Sequence, residues 1–152
     1  MYLLDTNVVS ELRKAKSSNI NKKADENVVA WSGSVTATSL YISVITILEL
    51  ETGTFLVERR DPLQGAILRF WLNVHVLPAF SGRIHAVDTA VAQCCAKPHV
   101  PDPRADRDDI LATVLLYGMT MVTRNVKDFE PTEIEILNPW RYMITGSPSD
   151  KQ

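Results

Sequence analysis

Short apolar runs alternate along this chain with segments whose apolar residues recur every three or four positions. The runs are Tyr2–Leu4, Leu40–Val44, Arg83–Val87, Met119–Thr123 and Ile134–Leu137. Strands separated by helices must return across a sheet each time. The alternation therefore predicts an α/β fold: a central parallel β-sheet of about five strands, flanked by helices on both faces. Helix starts and stops fit this frame. Asp5, Thr6 and Asn7 are capping residues directly after the first run. Lys14 to Asn27 reads as a loop, and a short helix carrying Val28, Val29 and Trp31 follows it. Thr46 is expected to cap a helix running through Glu49 to about Arg60. Asp61-Pro62 opens the next, whose apolar positions are Leu63, Ile67, Phe70, Trp71 and Val74, with Pro78 as its end. Asp88 caps a helix through Ala96, stopped by Pro98. Asp108–Tyr117 forms the last, closed by Gly118.

At 152 residues the chain fits one domain, expected over residues 1–141, with 142–152 a loose tail rich in small and polar residues. Hydrophobic residues make up 45% and charged residues 22%, which excludes disorder, collagen and coiled coil as whole-chain descriptions. The uncharged stretch Val28–Leu48 is long enough to cross a bilayer, but Ser32, Gly33, Ser34, Thr36, Thr38, Ser39 and Ser43 break it, so no span is expected. No basic segment precedes an apolar run at the start, and Asp5 interrupts it early. The reading is therefore a cytoplasmic protein without a signal peptide. Cys94 and Cys95 are adjacent, which disfavours a disulfide and suits reduced, buried thiols; no spacing suggests zinc. The net charge of −2 means that any contact with nucleic acid must come from local clusters.

Parallel sheets bind ligands beyond the carboxyl ends of their strands. Asp5 ends the first strand, and Glu49 lies one turn into the helix after the second. Asn125 and Asp128 follow the fourth strand, and Asp106, Asp108 and Asp109 open the helix before it. Carboxylates gathered at one edge repel one another unless a cation sits between them. Ligation by oxygen alone favours Mg²⁺ or Mn²⁺, and such an ion suits phosphodiester hydrolysis.

The opening Tyr2-Leu3-Leu4-Asp5-Thr6-Asn7-Val8-Val9-Ser10-Glu11-Leu12 resembles the first motif of PIN-domain ribonucleases, especially the VapC-type toxins of bacterial toxin–antitoxin pairs. Ile42 to Leu50 resembles their second motif, and Met121 to Phe129 their fourth. Leu137-Asn138-Pro139-Trp140 is similar to their usual ending. The resemblance covers residues 1 to about 141, and the FitB-like branch is nearest. The third motif, Arg107 to Gly118, is one residue short of the family pattern. Matched from the left, it makes Asp108 the ligand; counted back from Gly118, it lands on Arg107. Asp106 and Asp109 are the alternatives.

The resemblance implies a metal-dependent endoribonuclease that leaves 5′-phosphate and 3′-hydroxyl ends. Asp5, Glu49 and Asp108 would hold Mg²⁺ or Mn²⁺, with Asn125 or Asp128 as a fourth group and Thr6 and Thr123 positioning water or a carboxylate. Arg13, Arg107 and Arg124 head the candidates for the RNA backbone, with Lys14, Arg104 and Lys127 behind them. Trp31, Trp71 and Trp140 read as packing residues; His75, His85 and His99 read as structural or surface groups. The implied partner is a VapB-like antitoxin. Its arginine would pair with Asp5 and Glu49, and its helix would lie on apolar side chains of the Val28–Trp31 and Ile45–Phe55 helices. Homodimerisation is implied, and operator DNA only through the antitoxin. The alternative is a catalytically inactive PIN-fold binding module, suggested by the short third motif. An aspartyl-phosphate mechanism at Asp5 fits poorly, because Asn7 stands where a second Asp is wanted.

Overall fold

A computed structural model describes residues 1–15, 23–99, 108–129 and 134–144; for 95–99, 108 and 109 only the backbone is described. Five parallel strands form one sheet in the order β3-β2-β1-β4-β5. They are β1 (Tyr2–Leu4), β2 (Leu40–Ser43), β3 (Ile84–His85), β4 (Thr120–Val122) and β5 (Ile136–Leu137). The helices are α1 (Thr6–Ala15), α2 (Glu26–Ser34), α3 (Val44–Arg60), α4 (Pro62–Phe70), α5 (Leu77–Ala79), α6 (Thr89–His99) and α7 (Asp108–Tyr117). A π-helical turn, Trp71–Val76, joins α4 to α5.

Side chains alternate across the central strands, as the pleat requires. Leu4, Ile42 and Val122 enter one core with Val8, Val28, Trp31 and Leu72. Leu3 and Met121 enter the other with Ile110, Val114 and Phe129. Helices therefore cover both faces, as the alternation predicts. Gly118 closes α7 at φ +61°, and the Met119 amide turns back to the Val114 carbonyl at 3.0 Å. No helix among the described residues is long and apolar enough to cross a membrane.

Several local expectations are corrected. α1 continues to Ala15, and α2 starts at Glu26 because the Asp25 carboxylate accepts the amides of Asn27 and Val28. α3 starts at Val44, capped by Ser43 rather than Thr46: Ser43 Oγ accepts the Ile45 amide at 3.1 Å. Pro78 does not end the fourth helix. The Leu77 amide donates to Leu72, five residues back, and this wider turn accommodates the proline's missing donor. α6 runs one residue past Pro98, to His99. The third, fourth and fifth strands are shorter than their apolar runs.

Most of the apolar stripe of α4 and the π turn faces solvent: Leu63, Ile67, Phe70 and Val74 are 73%, 51%, 59% and 48% exposed. Gly65 is the reason. A Cβ there would lie 2.5 Å from Glu58 Cα, so α4 packs on α3 through its smallest residue. Arg69 locks this face by ion-pairing with Glu51 and Glu58, its guanidinium 4.8 Å from the Phe55 ring. Leu72 and Val76 enter the core from the π turn.

Trp31 is buried, edge-on to Tyr2. Trp71 and Trp140 are half-buried against the core, with Arg13 and Arg124 over their rings. His85 is stacked between Tyr41 and Tyr117, and His75 meets Phe70 edge-on. Cys94 is a half-buried free thiol beside Val91 and Ala112; the Cys95 and His99 side chains lie outside the described residues. Most of the proposed tail also lies outside them, from 145 on.

Candidate active site

β1 is the middle strand, and Asp5 ends it. The Asp5 amide still donates to Val122 on β4, while its carbonyl accepts the amides of Val8 and Val9. Asp5 is thus the pivot between strand and helix, and its side chain is 1% exposed. Burying a carboxylate is costly unless it is hydrogen-bonded. Here Oδ1 accepts the Thr6 amide at 2.8 Å, and Oδ2 accepts the Thr123 hydroxyl at 2.8 Å and a longer donation from Asn7 Nδ2 at 3.4 Å.

Thr123 sits just past β4 and is fully buried. Its Oγ1 also accepts the Asn125 amide at 3.0 Å and Asn7 Nδ2 at 3.4 Å. The Asn7 side-chain Oδ1 accepts the Arg124 amide at 3.4 Å. Asn7 therefore ties the first motif to the fourth. The sequence reading missed its role, although its place two residues after Asp5, in the first helical turn, was the available signal. Thr46 was also misassigned. Rather than capping α3, it is buried, and its hydroxyl lies 3.3 Å from that of Thr6. Glu49 follows Thr46 by three residues and so lies one turn along the same helix face, exposed to solvent.

A helix joining parallel strands runs back along the sheet, so α7 starts at the carboxyl edge, and Asp108 is its first residue. The side chains of Asp108 and Asp109 lie outside the described residues, as do Asp106, Arg107 and Arg104 entirely. Among the described residues no three Asp, Glu, His or Cys side chains gather as a metal-binding group. What the structure brings together is Asp5, Thr6, Asn7, Thr46 and Thr123, with Glu49 one turn above. This donor set is oxygen and amide without thiolate or imidazole, which fits a hard divalent cation.

Asn125 and Asp128 are exposed on the turn after β4. They line an open cleft of about 660 Å³ with Arg124, Lys127, Asn138 and Arg141. Arg124 is beside the site, but its guanidinium lies 5.1 Å from the Trp140 ring. It also acts on Glu11, another residue the sequence reading passed over. Burial pushes the Glu11 carboxyl up, but hydrogen bonds from Lys14 Nζ and the Asp25 amide, with the charges of Lys14 and Arg124, bring it below its ordinary value. Arg13 is not beside Asp5. It lies two turns down α1, about 12 Å along the axis, with its guanidinium over Trp71.

Arg13 instead rims an apolar groove of about 360 Å³ lined by Leu12, Val29, Val35, Trp71 and Phe80. The apolar surface expected for the partner helix is only partly exposed. Val28 and Trp31 are core residues, and Val29 and Ser32 are the residues of that helix that face the groove. Leu48 and Phe55 are exposed on α3, outside the groove.

No family model matches the chain. It is 34% identical to Toxin FitB of Neisseria gonorrhoeae, over 92% of this chain and 99% of that protein. It is 33% identical to VapC ribonuclease Y4jK of Sinorhizobium fredii, over 92% and 98%. Its fold superposes on a chain of the FitAB complex bound to an IR36 DNA fragment with a TM-score of 0.77 at 31% identity, covering 95% of this chain and 99% of the other.

Proposed function

Since this chain belongs to the VapC family of PIN-fold toxins that includes FitB, we propose that it is the toxin of a toxin–antitoxin pair and a metal-dependent endoribonuclease. One observation carries the reading. A buried carboxylate, Asp5, ends the central strand with its two oxygens oriented by Thr6, Asn7 and Thr123, beside the helix face that bears Glu49. Asp5 and Glu49 would hold Mg²⁺ or Mn²⁺, with Asp108 as third ligand and Asn125 or Asp128 as a fourth oxygen group. A bound divalent ion lowers the pKa of water and offsets charge on the phosphate as the phosphodiester bond is hydrolysed. The chain's own contribution is positioning. Thr123 and Asn7 fix the Asp5 carboxylate, and the Thr6–Thr46 pair ties the start of α1 to the first turn of α3, which precedes Glu49.

The restraining partner is a VapB-like antitoxin. FitB's occurrence in a FitAB complex on DNA supports this, as does the apolar groove between α1, α2 and the π turn, which suits the apolar face of a helix. An antitoxin arginine would pair with Asp5 and Glu49 and exclude both cation and RNA. Operator DNA would then be contacted through the antitoxin, and the pair would act in the cytoplasm. The outward stripe of α4 suits a second copy of this chain, because a contiguous exposed apolar patch marks an interaction surface.

The test is cleavage of RNA under Mg²⁺ or Mn²⁺ titration. Glu49→Gln should keep the fold, because the side chain is exposed, and should lose cleavage and metal affinity together. Among Asp106→Asn, Asp108→Asn and Asp109→Asn, the Asp108 variant should be the most impaired. Full cleavage by Glu49→Gln removes that residue from the site. A wild-type chain that binds the antitoxin but cleaves no RNA is the inactive module.

A further inference from the structure

The cleft beyond β4 and β5 is walled by Arg124, Lys127 and Arg141, against the single carboxylate of Asp128. That is a cationic pocket on a chain whose net charge is −2. It adjoins the buried carboxylate through two short links: the Asn125 amide donates to Thr123 Oγ1, whose hydroxyl donates to Asp5 Oδ2. Its walls are held in place. Asn138 Oδ1 accepts the Trp140 amide at 3.0 Å, and Asn27 Nδ2 donates to the Trp140 carbonyl at 2.8 Å. The Trp140 ring lies under the Arg124 guanidinium, and Glu11 shares that charge. Lys127 and Arg141 are exposed, and no salt bridge among the described residues engages either.

We infer that this cleft is a backbone-binding subsite for single-stranded RNA. In it Lys127 and Arg141 take phosphates flanking the scissile bond, while Asn125 and Asn138 offer hydrogen bonds to ribose or base. The inference rests on the ribonuclease reading and adds to it the direction in which the strand leaves Asp5, across the ends of β4 and β5. Arg141 lies in the one-turn 3₁₀ segment Pro139–Arg141, and the sequence reading did not include it among the RNA candidates. The cleft's volume falls within the roughly 300–1,000 Å³ of small-ligand sites, and its charge suits a polyanion threading through rather than an enclosed metabolite.

The test uses the full-length chain in EDTA, where binding is read without cleavage. A fluorescent single-stranded RNA is titrated at several KCl concentrations against wild type, Lys127→Gln, Arg141→Gln, the double variant and, as control, Arg60→Gln at the distant end of α3. Each cleft variant should weaken binding several-fold at low salt, and the slope of log affinity against log salt should flatten by about 0.7–1 per residue removed. With Mg²⁺ or Mn²⁺ restored, the same variants should raise KM and leave kcat within about two-fold. Affinity and slope equal to wild type in both single variants and the double variant would overturn the subsite. So would loss of antitoxin binding with RNA binding intact, which would give the cleft to an acidic protein segment. A wild-type chain that binds RNA through these residues yet cleaves none would sink the ribonuclease reading and leave the subsite standing.

Discussion

Replacing Thr123 by valine tests whether the buried carboxylate is held as the hydrogen bonds indicate. The change conserves shape and opens no large cavity at a fully buried position. It removes one donation to a carboxylate, the hydroxyl to Asp5 Oδ2 at 2.8 Å, and one acceptor shared by the Asn125 amide and Asn7 Nδ2. A hydrogen bond to a charged group contributes about 1.5–3 kcal/mol, and a neutral one about 1 kcal/mol. The Asn125 end is exposed, so water recovers part of the second loss. The net expectation for the metal-free chain is a destabilisation of about 2–4 kcal/mol. At about 2–4 °C per kcal/mol for a domain of this size, Tm should fall by about 4–16 °C. Urea unfolding at pH 7 in EDTA measures it, with an unchanged m-value as the sign that the end states are the same. Thr123→Ser keeps the hydroxyl and should lose only about 1 kcal/mol, from the missing methyl. A valine variant within about 0.5 kcal/mol of wild type would refute the reasoning. So would a serine variant as unstable as valine, since the hydroxyl would then not be the stabilising group.

Gly65→Ala drives a methyl to 2.5 Å from Glu58 Cα, so α3 and α4 must separate; a loss of about 1–3 kcal/mol by urea unfolding is expected, and a stabilised variant would show that the contact relaxes freely. Burial lowers the His85 pKa, against a smaller upward pull from Asp88. The unfolded chain therefore takes up that proton first, and stability should decline as pH falls below about 6.5. His85→Phe, which keeps a ring between Tyr41 and Tyr117, should flatten the difference in unfolding free energy between pH 7.5 and 5.5; an undiminished slope would assign it to other groups. Ile67→Lys with Phe70→Lys, both exposed, should leave monomer stability nearly unchanged while abolishing self-association by light scattering; an unaltered mass would locate any dimer elsewhere.

Local chemistry in the sequence determined the element order, the parallel sheet with helices on both faces, and the place of Asp5 at the end of the first strand. Apolar runs and capping residues act over a few neighbours, so Gly118, Asp61 and Asp88 terminate or start helices as their side chains and φ preferences demand. Thr6 and Thr123 were legible as site residues because their motifs carry the resemblance. Only the tertiary structure decided the role of Asn7, which depends on a bond to Thr123 across 116 positions. The same holds for Thr46, which the chain pattern offers as a cap and the fold turns toward Thr6. Periodicity also could not say which face of α4 is buried. A stripe recurring every three or four residues marks an apolar face, but whether that face turns inward depends on its neighbours. Here the close approach at Gly65 and the Arg69 ion pairs dock the opposite side against α3 and leave Leu63, Ile67, Phe70 and Val74 in water. Charge behaves likewise: a near-neutral composition says nothing of Lys127 and Arg141 meeting in one cleft, because that depends on two strand ends being neighbours in the sheet.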